Sequence, residues 1–293
     1  MSTKLAYFNG HFVPEDQARL SLNDRGFTWG ATVTDRCRTY QRKLFRWEEH
    51  LARFRHSCDL CRIPQPLPDT ELTLYAEHLL EENRGFADAD DEFVIILVAT
   101  PGESPPNLGI TSEPIRGSEY RHLLSRGARL VTPATHHVPN DCIPRNAKMR
   151  SRMFWWIAEQ QAHDFDPDAS ALLLDLDGHV TETTAANFAI VRNGTIFIPP
   201  RSVVLDGISM RVVEELCDEL GISFAEKVLT LDECYAAEEA LLTSTPFGLA
   251  GVSSINGKSI PWPGPILKQL HDAWSERVGM DIWHQISPDK AGC

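Results

Sequence analysis

A mixed α+β fold in two domains is what this sequence predicts, and three observations carry it. Asn9-Gly10, Asp177-Gly178, Asn193-Gly194 and Asn256-Gly257 each lie between apolar or β-branched runs, the strongest short hairpin signal. Between these pairs, 47–61, 69–83, 153–165 and 209–221 carry apolar residues at helical spacing. The segment TPGESPPNLGITSEPIRGSEY, rich in Pro, Gly and Ser, separates a first α+β unit from a second one. Domains are therefore expected at residues 1–120 and 121–293, joined near 110–125.

Taken in chain order, MSTKLAYFNGHFVP reads as a hairpin of a mature chain rather than a leader, because no Lys/Arg-flanked apolar segment opens it. WEEHLARFRHSCDLC and DTELTLYAEHLLEEN are the first two helices. FVIILVA (93–99) has the length of a buried strand and is far too short to span a bilayer. ARLVTPATHHV begins the second unit as a strand, and MFWWIAEQQAHDF follows as a helix. DGHVTETTAANFAIVRNG supplies two β segments. SMRVVEELCDELG is a helix that ends at Gly221, suited to a C-cap.

Composition narrows the function. A hydrophobic fraction of 42% over 293 residues gives ample core. A formal charge of −13 argues against sequence-independent binding to nucleic acid or anionic lipid. A cytoplasmic location is expected. The seven cysteines are irregularly spaced, and Cys58 and Cys61, the only close pair, sit in a helical run with no second pair to complete a zinc site. They read as reduced helix cysteines, and no metal is expected.

Several stretches carry chemistry. IPRNAKMRSR places Lys148 among Arg145, Arg150 and Arg152, and neighbouring cations disfavour a protonated amine, which suits carbonyl attack; the plainer reading is a basic surface turn. EEHLARFRHS carries His50, Arg53, Arg55 and His56, most of them expected to face solvent, with one arginine free to turn inward as an anion clamp. In LDGIS, Gly207 leads into Ile208 and Ser209 at a helix start, a ready anion site that taken alone is more often only a cap. Thr243, Ser244 and Thr245 form a hydroxyl cluster after an apolar strand, and Glu182 is an acid inside a strand. Together these match what pyridoxal phosphate needs: an amine, a phosphate cradle and a carboxylate for the ring nitrogen.

The ordered blocks FNGHFVP, LSLNDRGFTWGATV, FRWEEHLARFRHS, NAK, DLDGHVTETTAANFAIV, FIPP, LDGIS, LLTST and INGKSI span almost the whole chain. In this order and spacing the chain resembles the class IV aminotransferases, the fold-type IV pyridoxal-phosphate enzymes that include branched-chain and D-amino-acid aminotransferases. The resemblance implies a small N-terminal α/β domain, a larger C-terminal pseudo-barrel, an active site between them, and a homodimer. It implies a transaminase that moves an amino group from an amino acid or primary amine to a 2-oxo acid. A lyase of the aminodeoxychorismate type and a non-catalytic scaffold of the same fold are the alternatives.

Residue by residue, Lys148 falls on the family's Schiff-base lysine, and Glu182, 34 positions later, on the acid that pairs with the pyridine nitrogen. Arg53 matches the phosphate arginine. Gly207, Ile208 and Ser209 match the phosphate loop, and Ser244 with Thr245 matches a Thr-Gly-Thr turn. Asn187 supports the cofactor strand. The departures lie where substrate is chosen: Thr34, Arg36 and Met153 stand in place of an aromatic residue, a glycine and a tyrosine. Trp29 is placed to reach into a neighbouring subunit. Arg36 or Arg38, on one strand face by alternation, is expected to contact a substrate carboxylate; the alternative is pairing with an acid such as Asp35, or facing solvent.

Overall fold

The computed structural model describes residues 3–65, 67–88 and 91–285. The chain divides into two compact units, Met1–Arg116 with Ala147–Ser151, and Gly117–Asn146 with Arg152–Cys293.

The first unit is built on β1 (Leu5–Phe8), β2 (His11–Pro14), β3 (Val33–Tyr40), β4 (Lys43–Leu44), β5 (Glu92–Thr100) and β6 (Asn107–Ile115), with α1 (Arg25–Thr28), α2 (Trp47–Leu60) and α3 (Asp69–Glu82). The strands form one antiparallel sheet in the order β2-β1-β6-β5-β3-β4. Its helix-facing side takes alternate residues, Val33 and Cys37 of β3 with Ile95 and Leu97 of β5, against Leu51, Phe54, Leu72 and Leu79. Composition alone marks 100–120 as a separator, yet Asn107–Ile115 pairs with β5 along its whole length. Leu108, Ile110 and Ser112 are buried at period two, and this alternation outweighs the Gly and Pro in the segment. Asp24 fixes the loop before β3: its carboxylate caps α1 through the Gly26 N–H and accepts from Thr100 and Asn107.

The second unit contains α4 (Gly117–Arg126), β7 (Ala128–Val131), α5 (Met153–Phe165), β8 (Ala169–Leu174), β9 (Val180–Thr183), β10 (Asn187–Arg192), β11 (Thr195–Ile198), α6 (Ile208–Leu220), β12 (Ser223–Glu226), α7 (Leu231–Tyr235), β13 (Glu239–Ser244), β14 (Gly248–Ile255), β15 (Lys258–Ser259), α8 (Pro265–Val278) and α9 (Ile282–Gln285). Its strand order is β12-β11-β10-β13-β14-β7-β8-β9, with β15 on β14. In a flat sheet β10 and β9 would lie five strand spacings apart, about 24 Å. Residues 184–186 alone connect them, a reach of about 14 Å at most. The sheet must therefore curl until β9 returns beside β10. Leu130, Leu172, Phe188, Leu242 and Val252 fill its interior. Buried Glu239 accepts the Ile266 and Leu267 N–H groups at 2.8 and 2.9 Å, capping α8 from β13.

Three of the four Gly-containing pairs form two-residue hairpin loops, with Asn9, Asn193, Asn256 and the glycine after each at positive φ. Asp177-Gly178 instead sits in the five-residue connection 175–179. There the Asp175 carboxylate accepts the N–H groups of Asp177 and His179 at 3.0 and 2.8 Å, a side-chain turn that displaces the tight hairpin. Asp175, Asp177 and His179 bring one ligand atom each within 4.8 Å, a grouping that this turn already explains. ARLVTPATHHV is a strand only to Val131. Burial pushes the Cys58 thiol up to about 12 and raises Cys61 as well, and both are free thiols at the end of α2.

His271 on α8 is buried, and burial pushes its imidazole from the ordinary 6.5 down to about 4. The unfolded chain therefore takes up this proton first. The stability contributed by neutral His271 is full above pH 6.5 and is lost as the pH falls to about 4, roughly 3 kcal/mol in total. Unfolding free energies from urea titrations at pH 7 and pH 4 should fall by about 3 kcal/mol less in His271→Leu than in the unsubstituted protein.

Candidate active site

Lys148 is held by its backbone in the first unit. Residues 147–151 lie along the start of β3: Thr34 N–H donates to the Lys148 carbonyl at 3.0 Å, Arg150 N–H to Thr32 at 2.8 Å, and Met149 bridges Val33. The Lys148 N–H donates to Ser57 Oγ at 3.0 Å, and that hydroxyl donates to the Arg53 carbonyl at 2.7 Å. A strand edge and a helix thus fix this short segment from both sides. The lysine side chain is half-buried.

Of the two arginines on this helix, Arg53 turns inward, and it meets an acid of the protein itself. Its Nε and Nη2 donate to the two Asp35 oxygens at 2.8 Å each, a bidentate pair. His50, one turn earlier on α2, places Nδ1 2.7 Å from Asp35 Oδ1. Burial alone would raise Asp35, but the Arg53 cation and His50 overcome it and hold the carboxyl well below the usual range. Burial, assisted by the Arg53 and Lys148 cations, lowers His50 despite the opposing pull of Asp35. The net arrangement is a carboxylate, a guanidinium and a neutral imidazole. Asp35 and His50 are the residues that sequence reasoning left unassigned. Their signal is the odd-numbered face of β3 opposite an H-x-x-R helix face.

Glu182 is buried on β9 in the second unit. The return of β9 to β10 lets Asn187 Nδ2 donate to its Oε2 at 3.0 Å, and the Leu205 N–H approaches both oxygens at 3.3 Å. Asn187 Nδ2 also donates to the Leu205 carbonyl at 2.8 Å, so β10 and the loop before α6 are locked together. The 184–186 turn is closed by Thr183, whose hydroxyl donates to Ala186 O at 2.9 Å and accepts its N–H at 2.9 Å. Arg145 lies in the field of Glu182 and Asp175; burial lowers its guanidinium to about 10, against their pull. With its amide oriented to donate, Asn146 reaches the Arg201 and Val204 carbonyls at 3.3 Å each.

Gly207 sits under Asn187, and a Cβ there would lie 1.9 Å from Asn187 Oδ1. Gly207 is the N-cap of α6 and makes no side-chain capping bond, so the helix start at Ile208 and Ser209 has the backbone donors an anion needs. Ser244 Oγ donates to the Ala185 carbonyl at 2.8 Å, which ties the end of β13 to the 184–186 turn. Thr245 follows it, half-buried. Glu182, Asn187, Gly207, Ile208, Ser209, Ser244 and Thr245 thus belong to one unit, and Lys148, Arg53, Thr34, Arg36 and Arg38 to the other.

The residues expected at the substrate are variously engaged. Thr34 is buried and its hydroxyl donates to Leu97 O at 2.8 Å across the sheet. Arg36 pairs with Glu113 at 2.9 Å, a pair worth ~0–1 kcal/mol at this exposure, and its backbone N–H donates to Asp35 Oδ1 at 2.7 Å. Arg38 is buried, with its guanidinium 3.9 Å from the centre of the Tyr40 ring. Trp29 is 82% exposed and Met153, at the start of α5, 71%.

Gly207→Ala tests this packing. It should destabilise the protein by about 1–3 kcal/mol in urea unfolding, because Asn187 must give way. Gly85→Ala, where a Cβ meets nothing within 4 Å, should stay within about 0.5 kcal/mol.

The family model of Amino-transferase class IV matches residues 32–255. A Methanocaldococcus jannaschii protein with a provisional branched-chain-amino-acid aminotransferase name is 30% identical over 282 residues, covering 92% of this chain and 95% of its own. The D-alanine aminotransferase of Bacillus licheniformis is 26% identical over 284 residues, covering 92% and 96%. Among solved structures, a T.th. branched-chain amino acid aminotransferase with pyridoxamine 5'-phosphate superposes with a TM-score of 0.83 at 26% identity, covering 95% of each chain. With a family match over most of its length and relatives spanning nearly all of it, this chain belongs to the class IV aminotransferases.

Proposed function

We propose that this class IV aminotransferase, a pyridoxal 5'-phosphate enzyme, holds its cofactor through Lys148, Glu182 and the start of α6. It transfers an amino group from an amino acid or primary amine to a 2-oxo acid. The observation that carries the site assignment is the buried Glu182 carboxylate, fixed by Asn187 and the Leu205 N–H in the same unit as the uncapped helix start at Gly207. These residues fit the group: an acid for a ring nitrogen, backbone donors for a phosphate, and a glycine where a side chain would collide.

When bound, the cofactor supplies an electron sink for the negative charge that develops at the substrate Cα. Glu182 holds a proton at the pyridine nitrogen, and Asn187 keeps its carboxylate oriented. Lys148 Nζ tethers the cofactor and moves the proton at the substrate Cα. The Ile208 and Ser209 amides, the Ser209 hydroxyl and the Ser244–Thr245 turn bind the phosphate. Since Ser244 Oγ donates to Ala185, its contribution comes from its backbone. Arg53 meets the phosphate as half of an ion pair, so its pull on the anion is moderated by Asp35.

A homodimer accompanies this reading. Exposed Phe27 and Trp29 in one unit, and Met153, Trp156 and Ile157 on one helix of the other, support it. Light scattering on the full-length protein should give about twice 32.9 kDa, and a monomer mass would reject it. None of the helices in the described residues is long and apolar enough to cross a membrane.

Two variants test the chemistry. Lys148→Ala should lose both the visible band of the bound cofactor and all amino transfer to a 2-oxo acid. Glu182→Gln should remain folded and bind cofactor while kcat falls at least about 100-fold. Near-normal turnover in Glu182→Gln would exclude the role given to this residue.

A further inference from the structure

We propose that His137 is a positioning residue for Glu182, donating from Nε2 to the carboxylate and keeping it in the anionic form that a ring-nitrogen proton requires. The proposal rests on the reading that Glu182 serves the pyridine nitrogen.

His137 lies in the loop after β7, and it is 2% exposed. Its Nε2 stands 3.5 Å from Glu182 Oε1, about half an ångström beyond a formed N–H···O bond. Neither ring nitrogen makes an aligned hydrogen bond among the described residues. A buried imidazole left in that condition costs stability, so its retention calls for a reason. Nε2 faces the carboxylate, which accepts and does not donate, and this selects the tautomer with the proton on Nε2.

The ring is also held in place. The His137 N–H donates to Leu174 O at 2.8 Å, anchoring the loop to the end of β8. Trp155 stacks against the imidazole with centroids 6.0 Å apart, and Phe154 meets it edge-on at 5.7 Å. Both aromatics belong to α5, which packs on β8. The carboxylate is thereby faced by Asn187 on β10, by the Leu205 N–H before α6 and by His137 after β7. Arg145, whose Nε has no hydrogen-bond partner among the described residues, adds a cation in the same field.

A donor on a carboxylate stabilises its charged form. Removing the His137 donor raises the proton affinity of Glu182, so a proton shared with the ring nitrogen shifts toward the carboxylate. The experiment loads the full-length protein with pyridoxal phosphate labelled with 15N in the ring and reads the 15N chemical shift. The unsubstituted protein should show a protonated ring nitrogen. His137→Phe keeps the aromatic contacts without the donor. It should move the shift toward the unprotonated value and lower kcat about tenfold, with KM for the amino donor within about twofold. His137→Gln, which restores an N–H donor, should recover both. If His137→Phe does not accumulate as folded protein, His137→Leu takes its place with the same readings. A protonated ring nitrogen that is unchanged in the donor-less variant overturns the inference alone. An unprotonated one in the unsubstituted protein removes the Glu182 reading and this inference together.

Discussion

The three residues between β9 and β10 are the constraint on which the second unit depends. A connection of that length cannot bridge two strands that stand far apart in the hydrogen-bonded order, so the sheet closes toward itself. Closure has a chemical consequence. It brings Asn187, at the start of one strand, against Glu182 near the end of another, and it places the loop before α6 over both. The acid is buried by topology, and the turn hydroxyls of Thr183 and Ser244 hold that topology shut.

A second principle is how buried charge is arranged in each unit. Asp35 sits in an apolar sheet face where an isolated carboxylate would cost several kcal/mol, and a bidentate arginine with a neutral histidine compensates it. Glu182 is treated differently: it accepts from an amide and a backbone N–H, with the His137 imidazole at 3.5 Å and the Arg145 cation in its field. The first is a bidentate ion pair backed by a neutral imidazole, and it fixes Arg53 on its helix face. The second orients the carboxylate through a side-chain amide and a backbone N–H.

Much of this was legible in the sequence, for reasons that are local. The helices at 47–60, 69–82, 153–165 and 208–220 follow from apolar spacing, and Gly221 at φ +69 ends the last of them as a C-cap glycine should. Asn-Gly loops were legible because few residues other than these accept two successive left-handed positions. What was not legible depends on contacts far apart in the chain. Asp35 gave no local sign that it would capture Arg53, which lies 18 residues away on a different element. His137 looked like part of a strand, and its approach to Glu182 appears only once β8 and β9 are placed. β6 was obscured by its Pro and Gly content, although its alternation was present.

The placement of Lys148 bears on how the chain folds. Its five-residue segment belongs to the first unit although the chain on either side belongs to the second, so neither unit is a continuous stretch of polypeptide. Met149 can bridge Val33 only after a loop of more than a hundred residues has closed, a cost that grows slowly with length but delays the contact. On a ribosome the first sheet can form well before this segment emerges, whereas its final edge cannot. The lysine is thus seated late, by chain that has already passed into the other unit. A cut anywhere between the two spans would leave the amine joined to the strand that holds it by non-covalent contacts alone.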